Sequence, residues 1–371
     1  MPSLTTNAAF LITFFLALAL AVATSPLMMS LGCRLGIVTR PSGRRLHEGD
    51  RARLSRLGGG VLFISFTGTV LAAQLLDVPR HDVEEPLRLT GLLLGALVIF
   101  VTGLLDDWLE LKPHWWFAAQ LLAAGIAIHH HIFIEGFNNP LTGTQTPEWP
   151  FVFTIAISLL WIIGMTNTVN FLDGLDGLSH GVVFIAACVL FLNSAIVLEP
   201  PQLSVSLLPL ALMGATLGFL VHNFYPARIF AGGGAYLLGF LIACLSIIGG
   251  AKMATVLMVM ALPILDAIWQ MVNRILTGRS PFRGDRGHAH HRLLDLGFSQ
   301  RQIVLGYYLF CTGFGTLTLL LESRSFKLIS LVLLSVIVVC GLALLLWLGR
   351  AGIQDAAGKR SPGRGVQDRP S

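Results

Sequence analysis

The residues best suited to chemistry begin with two adjacent carboxylates, Asp106 and Asp107, in the stretch GLLDDWLELKP. They end an apolar run of helical length, and a charge in such a run is costly and usually functional. Two like charges this close raise the pKa of one carboxyl group, which suits a proton acceptor, or they share a bound cation. The alternative is a solvated helix end without a chemical role.

A second stretch, NTVNFLDGLDGLSHG, carries amide and carboxylate groups at three-residue spacing. If it is helical, Asn167, Asn170, Asp173 and Asp176 converge on one side. Gly174 leaves the backbone bare enough for a ligand to approach. Such oxygens suit Mg²⁺, which takes one or two carboxylates and leaves its other positions to water and phosphate. The alternative is a turn that binds nothing.

Imidazole and guanidinium groups are concentrated in the stretch GRSPFRGDRGHAHHRLLDLGFS. Here His288, His290 and His291 lie beside Asp285 and Arg292. Three histidines can indicate zinc, but flanking arginines repel a cation and favour an anion. Arginine binds phosphate in a bidentate way and imidazole donates hydrogen bonds to it, so the stretch predicts a pyrophosphate site.

Two further regions carry polar candidates. The segment 40–60, RPSGRRLHEGDRARLSRLGGG, holds seven basic or imidazole side chains, and we assign Arg44 and His47 among them to substrate binding. Positive-inside anchoring of a membrane loop is the alternative. Asp266, in ALPILDAIW, is an intramembrane candidate for function or helix pairing. The run His129 to His131 is interpreted as ordinary loop sequence.

These clusters are separated by long apolar runs. The 371 residues are 54% hydrophobic and 12% charged, with a mean hydropathy of +0.74, which excludes an ordinary soluble domain. Continuous runs predict membrane helices and exclude a barrel, whose strands would alternate. We predict an all-α polytopic protein with about eleven transmembrane helices, near residues 8–31, 58–77, 88–105, 115–134, 151–166, 179–198, 206–222, 229–249, 254–272, 303–321 and 327–349.

The basic residues predict the orientation. With the N-terminus outside and the C-terminus cytoplasmic, 20 of the 25 Lys and Arg residues fall on the inner side. The polar clusters then share the cytoplasmic face. Residues 1–349 form one predicted transmembrane domain, and 350–371 a basic, disordered cytoplasmic tail. Five cysteines without CxxC spacing are read as buried apolar residues.

The motifs LLDDWLELKP, NTVNFLDGLDGLSHG and SPFRGDRGHAHHRL, in this order, resemble the polyprenyl-phosphate N-acetylhexosamine-1-phosphate transferases of glycosyltransferase family 4. The resemblance covers roughly residues 35 to 300. The HAHHRL form is similar to the undecaprenyl-phosphate N-acetylglucosaminyl-1-phosphate transferase branch. It is less like the phospho-N-acetylmuramoyl-pentapeptide branch, whose loop has consecutive histidines.

The resemblance implies an enzyme of the bacterial inner membrane with a cytoplasmic active site. A polyprenyl phosphate (undecaprenyl or decaprenyl) would attack the β-phosphate of a UDP-sugar, expected to be UDP-N-acetylglucosamine, and release UMP. The product would start cell-wall or lipopolysaccharide synthesis. Mg²⁺, or alternatively Mn²⁺, is the implied cofactor. The implied partners are the UDP-sugar, the lipid phosphate and the bilayer, without nucleic acid, and a homodimer is left open.

The same resemblance implies roles for individual residues. Asp106 and Asp107 would accept a proton from the attacking phosphate or position it, and Asp173 and Asp176 would hold the metal. The histidines would stabilise charge on the diphosphate as its bond breaks. The implied substrate-binding residues are Asn167, Asn170, Gly174, Asp176, Asp285 and Arg292.

One departure from the family pattern separates two hypotheses. After HNFYPARIF the family continues with Gly-Asp-x-Gly-Ser, whose aspartate ligates magnesium, whereas this chain has Gly233 and Tyr236 at the Asp and Ser positions. The intact carboxylates and histidines favour an active transferase. Gly233 favours an inactive homologue that binds UDP-sugar or prenyl phosphate. A lipid-sugar transporter would need more polar residues at the bilayer midplane than Asp266.

Overall fold

A computed structural model of the chain describes residues 4–39, 54–80, 82–136, 144, 146–147, 149–249, 253–278, 287–321 and 324–358. Each of the eleven segments predicted to be membrane helices overlaps at least one helix. The helices are α1 (Leu4–Leu35), α2 (Gly58–Ala73), α3 (Glu85–Leu109), α4 (Pro113–His129), α5 (Phe151–Leu172), α6 (Leu178–Leu192), α7 (Leu203–Asn223), α8 (Gly234–Ile248), α9 (Met253–Val259), α10 (Ala261–Leu276), α11 (Ala289–Asp295), α12 (Gln300–Leu320) and α13 (Arg324–Gly358).

The described helices make this an all-helical, multi-pass membrane protein. Six of them, α1, α3, α5, α6 with its π-helical end at Asn193–Val197, α7 and α12, are long and apolar enough to cross a membrane. The bent pair α9 and α10 would make a seventh. The shorter apolar helices α2 and α8 are 16 and 15 residues long, below the roughly 20 residues of a full crossing. The number of eleven crossings and their orientation stay predictions.

One predicted helix is broken. The sequence pattern predicted a continuous helix near 254–272, but the structure bends by 78° between α9 and α10. Pro263 explains the break, because its ring would collide with the carbonyl of Val259 in a continuous helix and it has no N–H to donate. Helix α10 after the bend places Asp266 in contact with His288.

Helix α7 lies in the middle of the bundle. Within its apolar window 83% of the residues are buried, and it packs against α1, α2 and α6. A Cβ at Gly214 would lie 2.4 Å from the Phe14 carbonyl oxygen, and one at Gly218 would lie 2.7 Å from the Leu18 carbonyl oxygen. Small residues therefore let α1 and α7 approach closely, which is a common way to pack helices in lipid.

Polar residues occupy both ends of the bundle. At one end, Glu85 is buried, pairs with Arg80 at 3.3 Å and accepts a hydrogen bond from Ser204 at 2.7 Å. The other end, which we call the site end, carries Asp107, Asp173 and His288. The predicted transmembrane domain, residues 1–349, contains α1 to α12 and most of α13, which continues to Gly358. The division at residue 350 stays a prediction.

Candidate active site

The carboxylate of Asp107 lies in a buried cradle at the C-terminal turn of α3. Its Oδ1 forms an ion pair with Arg56 at 3.0 Å, although the contact is not aligned as a hydrogen bond. Its Oδ2 accepts a hydrogen bond from the backbone N–H of Gly233 at 3.0 Å. Burial of a carboxylate is stable only when it is paired, and here both oxygens have a partner.

Glycines bring three backbones together around Asp107. Gly58 and Gly59 donate backbone hydrogen bonds of 3.0 and 2.9 Å to the carbonyls of Phe230 and Ala231. A Cβ built on Gly233 would lie 2.2 Å from the Cα of Gly103 in α3. Three backbones therefore pack directly against one another, without side chains between them. They belong to the glycine run at the start of α2, to Gly103 of α3 and to the glycine run at the start of α8.

Asp106 faces a different environment from its neighbour. It is partly exposed, and its Oδ1 accepts a hydrogen bond from the backbone N–H of Leu111 at 2.8 Å. This bond fixes the chain after α3, where Glu110 adopts a left-handed conformation with φ 51°. Of the two adjacent carboxylates, Asp106 is the more accessible and Asp107 is the more enclosed.

In the stretch NTVNFLDGLDGLSHG the helix α5 ends at Leu172, before both aspartates. Asp173 lies at the C-terminal cap of α5, 15% exposed, and its Oδ1 accepts a hydrogen bond from Ser179 at 2.7 Å. Asn167 turns toward α4, because its amide nitrogen donates to Gln120 Oε1 at 2.7 Å. Asn170 is half-buried one turn before Asp173. Convergence by helical spacing thus does not extend to Asp176.

Asp176 connects the turn to the segment after α7. Its Oδ2 accepts a hydrogen bond from the backbone N–H of Ala227 at 3.0 Å, and the side chain is buried. Asn223 adds a second connection, since its Oδ1 accepts from the backbone N–H of Gly177 at 3.1 Å. Gly177 has φ 80°, which allows the chain to turn from α5 into α6.

The same segment links the two carboxylate stretches. Ala227 contacts Asp176, and Gly233 contacts Asp107. Six residues of extended chain span at most about 20 Å. Ala227 and Gly233 therefore lie within that distance of one another, and each is hydrogen-bonded to one of the two carboxylate stretches.

Gly174 forms the closest approach between the aspartate turn and the histidine segment. A Cβ at this position would lie 2.2 Å from Nε2 of His290 and 3.1 Å from Nε2 of His291. The rings of His288 and His290 are parallel within 6°, with centroids 5.8 Å apart. The sequence-predicted turn and histidines therefore meet.

Asp266 holds the start of the histidine segment. Its Oδ2 is 2.8 Å from Nδ1 of His288, and its Oδ1 accepts a hydrogen bond from the backbone N–H of Ala289 at 3.0 Å. The Gly287 carbonyl accepts hydrogen bonds from Gln270 and, at 2.6 Å, from Arg292 Nε. Side chains of α10 thus hold the N-terminal end of α11 in place.

His290 is a buried base with open hydrogen-bonding capacity. Neither ring nitrogen has a hydrogen-bond partner among the described residues. Burial, followed by the charges of His291 and His288, holds the pKa of His290 well below its ordinary value. The neutral ring has one N–H donor and one acceptor, and buried polar atoms of this kind commonly have a ligand or water as partner.

Three predicted site residues, Arg44, His47 and Asp285, lie outside the described residues. Sequence reasoning did not single out three others that support the site: Arg56, Gln120 and Ser179. Arg56 was one of several basic residues in its loop, and Gln120 is a lone amide in an apolar helix. The spacing of Ser179 six residues after Asp173, across a glycine turn, was an available signal.

The described residues offer an incomplete cage for a metal ion. Within them no group of three His, Cys, Asp or Glu side chains can hold an ion together. Gly233 has no side chain that could bind an ion, and the carboxylate of Asp107 is paired with Arg56. Asp173 remains as a partly exposed carboxylate. Because Mg²⁺ typically combines one or two carboxylates with substrate phosphates, the residues fit an ion held by Asp173 and a bound diphosphate.

The fold and site together define a polytopic helical membrane protein with carboxylates and histidines gathered at one end of its bundle. The sequence model for glycosyl transferase family 4 matches residues 89–250. The chain belongs to this family, as the following similarities also show.

The chain is 30% identical over 322 residues to a Bacillus subtilis (strain 168) protein named "Probable undecaprenyl-phosphate N-acetylglucosaminyl 1-phosphate transferase", with 85% of each chain covered. It is 32% identical over 373 residues to the decaprenyl-phosphate N-acetylglucosaminephosphotransferase of Mycobacterium tuberculosis (strain CDC 1551 / Oshkosh), covering 93% of this chain and 88% of that one. A phospho-N-acetylmuramoyl-pentapeptide-transferase of Synechococcus sp. (strain JA-2-3B'a(2-13)) is 32% identical over 293 residues, covering 74% and 81%.

Proposed function

We propose that this protein transfers a sugar-1-phosphate, N-acetylglucosamine-1-phosphate by preference, from a UDP-sugar to a polyprenyl phosphate. An oxygen of the lipid phosphate attacks the β-phosphorus, the bond between the two phosphates of the donor breaks, and UMP leaves. The product is a polyprenyl-diphospho-sugar for cell-envelope glycans. The inner-membrane location and cytoplasmic site belong to the same proposal.

The observation that carries the proposal is the meeting of Gly174 with His290 beside Asp173. Phosphoryl transfer needs positioning and stabilisation of charge more than covalent help from the protein. Neutral His290 supplies an N–H donor, and His288, oriented by Asp266, supplies a second imidazole. The bare backbone at Gly174 lets the turn pack directly against these rings, so that a diphosphate bound at their edge could contact both Asp173 and the imidazoles.

The acceptor side of the site is assigned to the C-terminal end of α3. Asp106, the more accessible carboxylate, is the group that accepts a proton from the lipid phosphate or positions it. Asp107 holds the shape of this end through Arg56 and Gly233. The apolar surfaces of the surrounding helices are compatible with a long prenyl chain.

Asp173 is the residue that we assign to a magnesium ion carried with the donor, and Asp176 supports the turn. When bound, Mg²⁺ would neutralise charge on the diphosphate. Asn170 and Arg292 are assigned to the donor as well. Asn167 is assigned to positioning, because its amide already pairs with Gln120.

A second candidate, an inactive homologue that still binds the donor, is favoured by one observation. The position where the family's pattern has an aspartate is a glycine in close backbone contact with Gly103. Glycine offers no side-chain ligand to a metal ion, and the close contact leaves no room for another ligand at the same place.

A transferase assay separates the two candidates. Purified protein in detergent, with polyprenyl phosphate, Mg²⁺ and UDP-N-acetylglucosamine, should release UMP and form a lipid-linked sugar. Asp106→Asn and Asp173→Asn should each lower the rate at least about 100-fold, the loss expected for an acid–base or charge-stabilising group. Asp82→Asn, at the opposite end, is the matched control and should keep the wild-type rate.

Donor binding is measured in parallel by calorimetry. A protein that binds UDP-sugars but forms no product with any of several UDP-sugars would be the inactive homologue. A protein that binds no UDP-sugar would contradict both candidates. Wild-type rates in Asp106→Asn and Asp173→Asn would contradict the residue assignments.

A further inference from the structure

The cradle of Asp107 already contains a fixed positive charge. The guanidinium of Arg56 lies 3.0 Å from Oδ1, and the Arg56 side chain is 29% exposed while that of Asp107 is 3% exposed. The pair is therefore closed on the carboxylate side and open on the arginine side. A divalent ion bound at Oδ1 would have to displace the guanidinium, which breaks the ion pair, or lie against it, which like-charge repulsion opposes.

The opposite side of the carboxylate is closed by backbone. Oδ2 accepts the N–H of Gly233, and a Cβ at Gly232, which has φ 56°, would lie 2.2 Å from this oxygen. The cavity beside it, lined by Gly59, Gly103, Gly233 and other residues, has a volume of about 10 Å³. Such a space holds about one water molecule at most, whereas Mg²⁺ usually retains several.

The two positions that depart from the family's pattern are both filled by packing. Gly233 lies against Gly103, and the ring of Tyr236 stacks on Trp116 with centroids 3.8 Å apart and an interplanar angle of 23°. Neither position is a gap left by a missing side chain. The end of α3 is a packed structure in which Arg56 provides the positive charge.

We propose that Arg56 is the resident cation of this acidic end of α3. Its guanidinium occupies the open side of Asp107, so the protein without nucleotide holds no divalent ion there. Any divalent ion in the reaction then arrives with the diphosphate of the donor, a corollary that rests on the proposed function.

The first test measures divalent binding without nucleotide, by electron paramagnetic resonance of Mn²⁺ titrated into the purified full-length protein. Wild type and Asp107→Asn should give the same titration, because Asp107 contributes no ligand. Mn²⁺ binding in wild type that Asp107→Asn abolishes would overturn the proposal.

The second test measures the charge pair itself by thermal unfolding. Arg56→Gln should lower the Tm by at least about 2 °C, because it leaves the buried carboxylate of Asp107 without its counter-ion. Adding Asp107→Asn to Arg56→Gln should recover part of that loss, because the buried charge is then removed. Arg88→Gln, which breaks the more exposed ion pairs with Asp82 and Glu84 at the opposite end, is the matched control and should change the Tm less.

Arg56→Lys keeps the positive charge and should unfold near the wild-type temperature, which maintains the test if Arg56→Gln does not fold. A loss in Arg56→Gln no larger than in Arg88→Gln, or no recovery in the double variant, would overturn the proposal.

Repeating the Mn²⁺ titration with UDP-N-acetylglucosamine tests the corollary. Failure of this nucleotide to bind would contradict the proposed function and leave the two nucleotide-free tests intact.

Discussion

Asp266 and His288 are joined by a contact of 2.8 Å between Oδ2 and Nδ1, across the gap between the bent helix α10 and the start of α11. The contact fixes which nitrogen of the imidazole faces the carboxylate and leaves Nε2 for the site. Asp266→Ala should therefore lower transferase activity by at least about 10-fold, since loss of an orienting partner misplaces the group that acts. It should also cost roughly 1–3 kcal/mol of stability, because a buried hydrogen-bonded group is left unpaired.

Initial rates and thermal unfolding in detergent check this prediction. Asp82→Ala, which removes a carboxylate at the opposite end, should leave the rate unchanged. A fully active Asp266→Ala protein would show that His288 needs no orientation from α10.

Gly174→Ala tests the approach of the aspartate turn to the histidines. The new Cβ would lie 2.2 Å from Nε2 of His290, so one of the two segments must move. We expect a loss of activity of at least about 10-fold, because displacement of catalytic groups by about 1 Å can cost up to 100-fold.

Gly164→Ala is the matched control, since a Cβ there meets nothing within 4 Å. It should keep the wild-type rate and gain up to about 1 kcal/mol of stability from its better helix propensity. Equal activity of the two alanine variants would contradict the predicted contact.

Gly233→Ala tests the backbone contact with α3. The added methyl group would lie 2.2 Å from the Cα of Gly103, and overpacking of this kind typically costs about 1–3 kcal/mol. We expect a lower Tm, whereas Gly125→Ala, at a position with open space, should not lower it. Gly233→Asp should destabilise at least as much, and a Gly233→Asp protein of wild-type stability would contradict the packing described here.

Asn167 and Gln120 should behave as an energetically coupled pair. Their amides exchange hydrogen bonds of 2.7 and 3.3 Å, and contacting polar pairs typically show coupling of about 0.5–3 kcal/mol. A double-mutant cycle with alanine at both positions, followed by thermal unfolding, measures this term. We expect Asn167→Ala to affect the stability of the protein more strongly than its KM for the UDP-sugar. The reverse result would indicate that Asn167 binds the substrate.

The pH dependence of stability should reveal the buried neutral imidazole of His290. Its folded pKa is lowered, so below the ordinary value of about 6.5 the unfolded chain takes up a proton that the folded chain refuses. The contribution to stability is complete above about pH 6.5 and is lost as the pH falls below it, by at most about 1.4 kcal/mol per pH unit.

Unfolding of wild type and His290→Asn between about pH 7.5 and pH 5.5 measures this slope. The variant should lose less stability over the interval than wild type. His129→Asn, which changes an exposed histidine at the opposite end, should follow the wild-type curve. An unchanged slope in His290→Asn would contradict burial of a neutral ring.

The positions of helices were predictable from the sequence because a run of apolar residues is local information. The break after Val259 had a local signal as well, in Pro263, which the apolar pattern concealed. The three chemical clusters were also visible locally, as carboxylates, amides and imidazoles in short stretches. No local pattern shows which distant residues contact one another. Arg56 with Asp107, and Asp266 with His288, depend on how helices pack.

Gly233 illustrates the limit most clearly. From the motif alone it was read as a missing ligand, because the comparison concerned only which side chain stands at that position. The structure adds the neighbour, and the glycine becomes a contact with Gly103. The same residue thus has a packing role that side-chain chemistry does not reveal.

The contact between Gly103 and Gly233 also constrains how this protein can change by mutation. A carboxylate cannot arise at position 233 in a single neutral step, because α3 must first move away from α8. A side chain at position 233 would therefore need a second change that separates α3 from α8, so substitutions at positions 103 and 233 are expected to depend on one another.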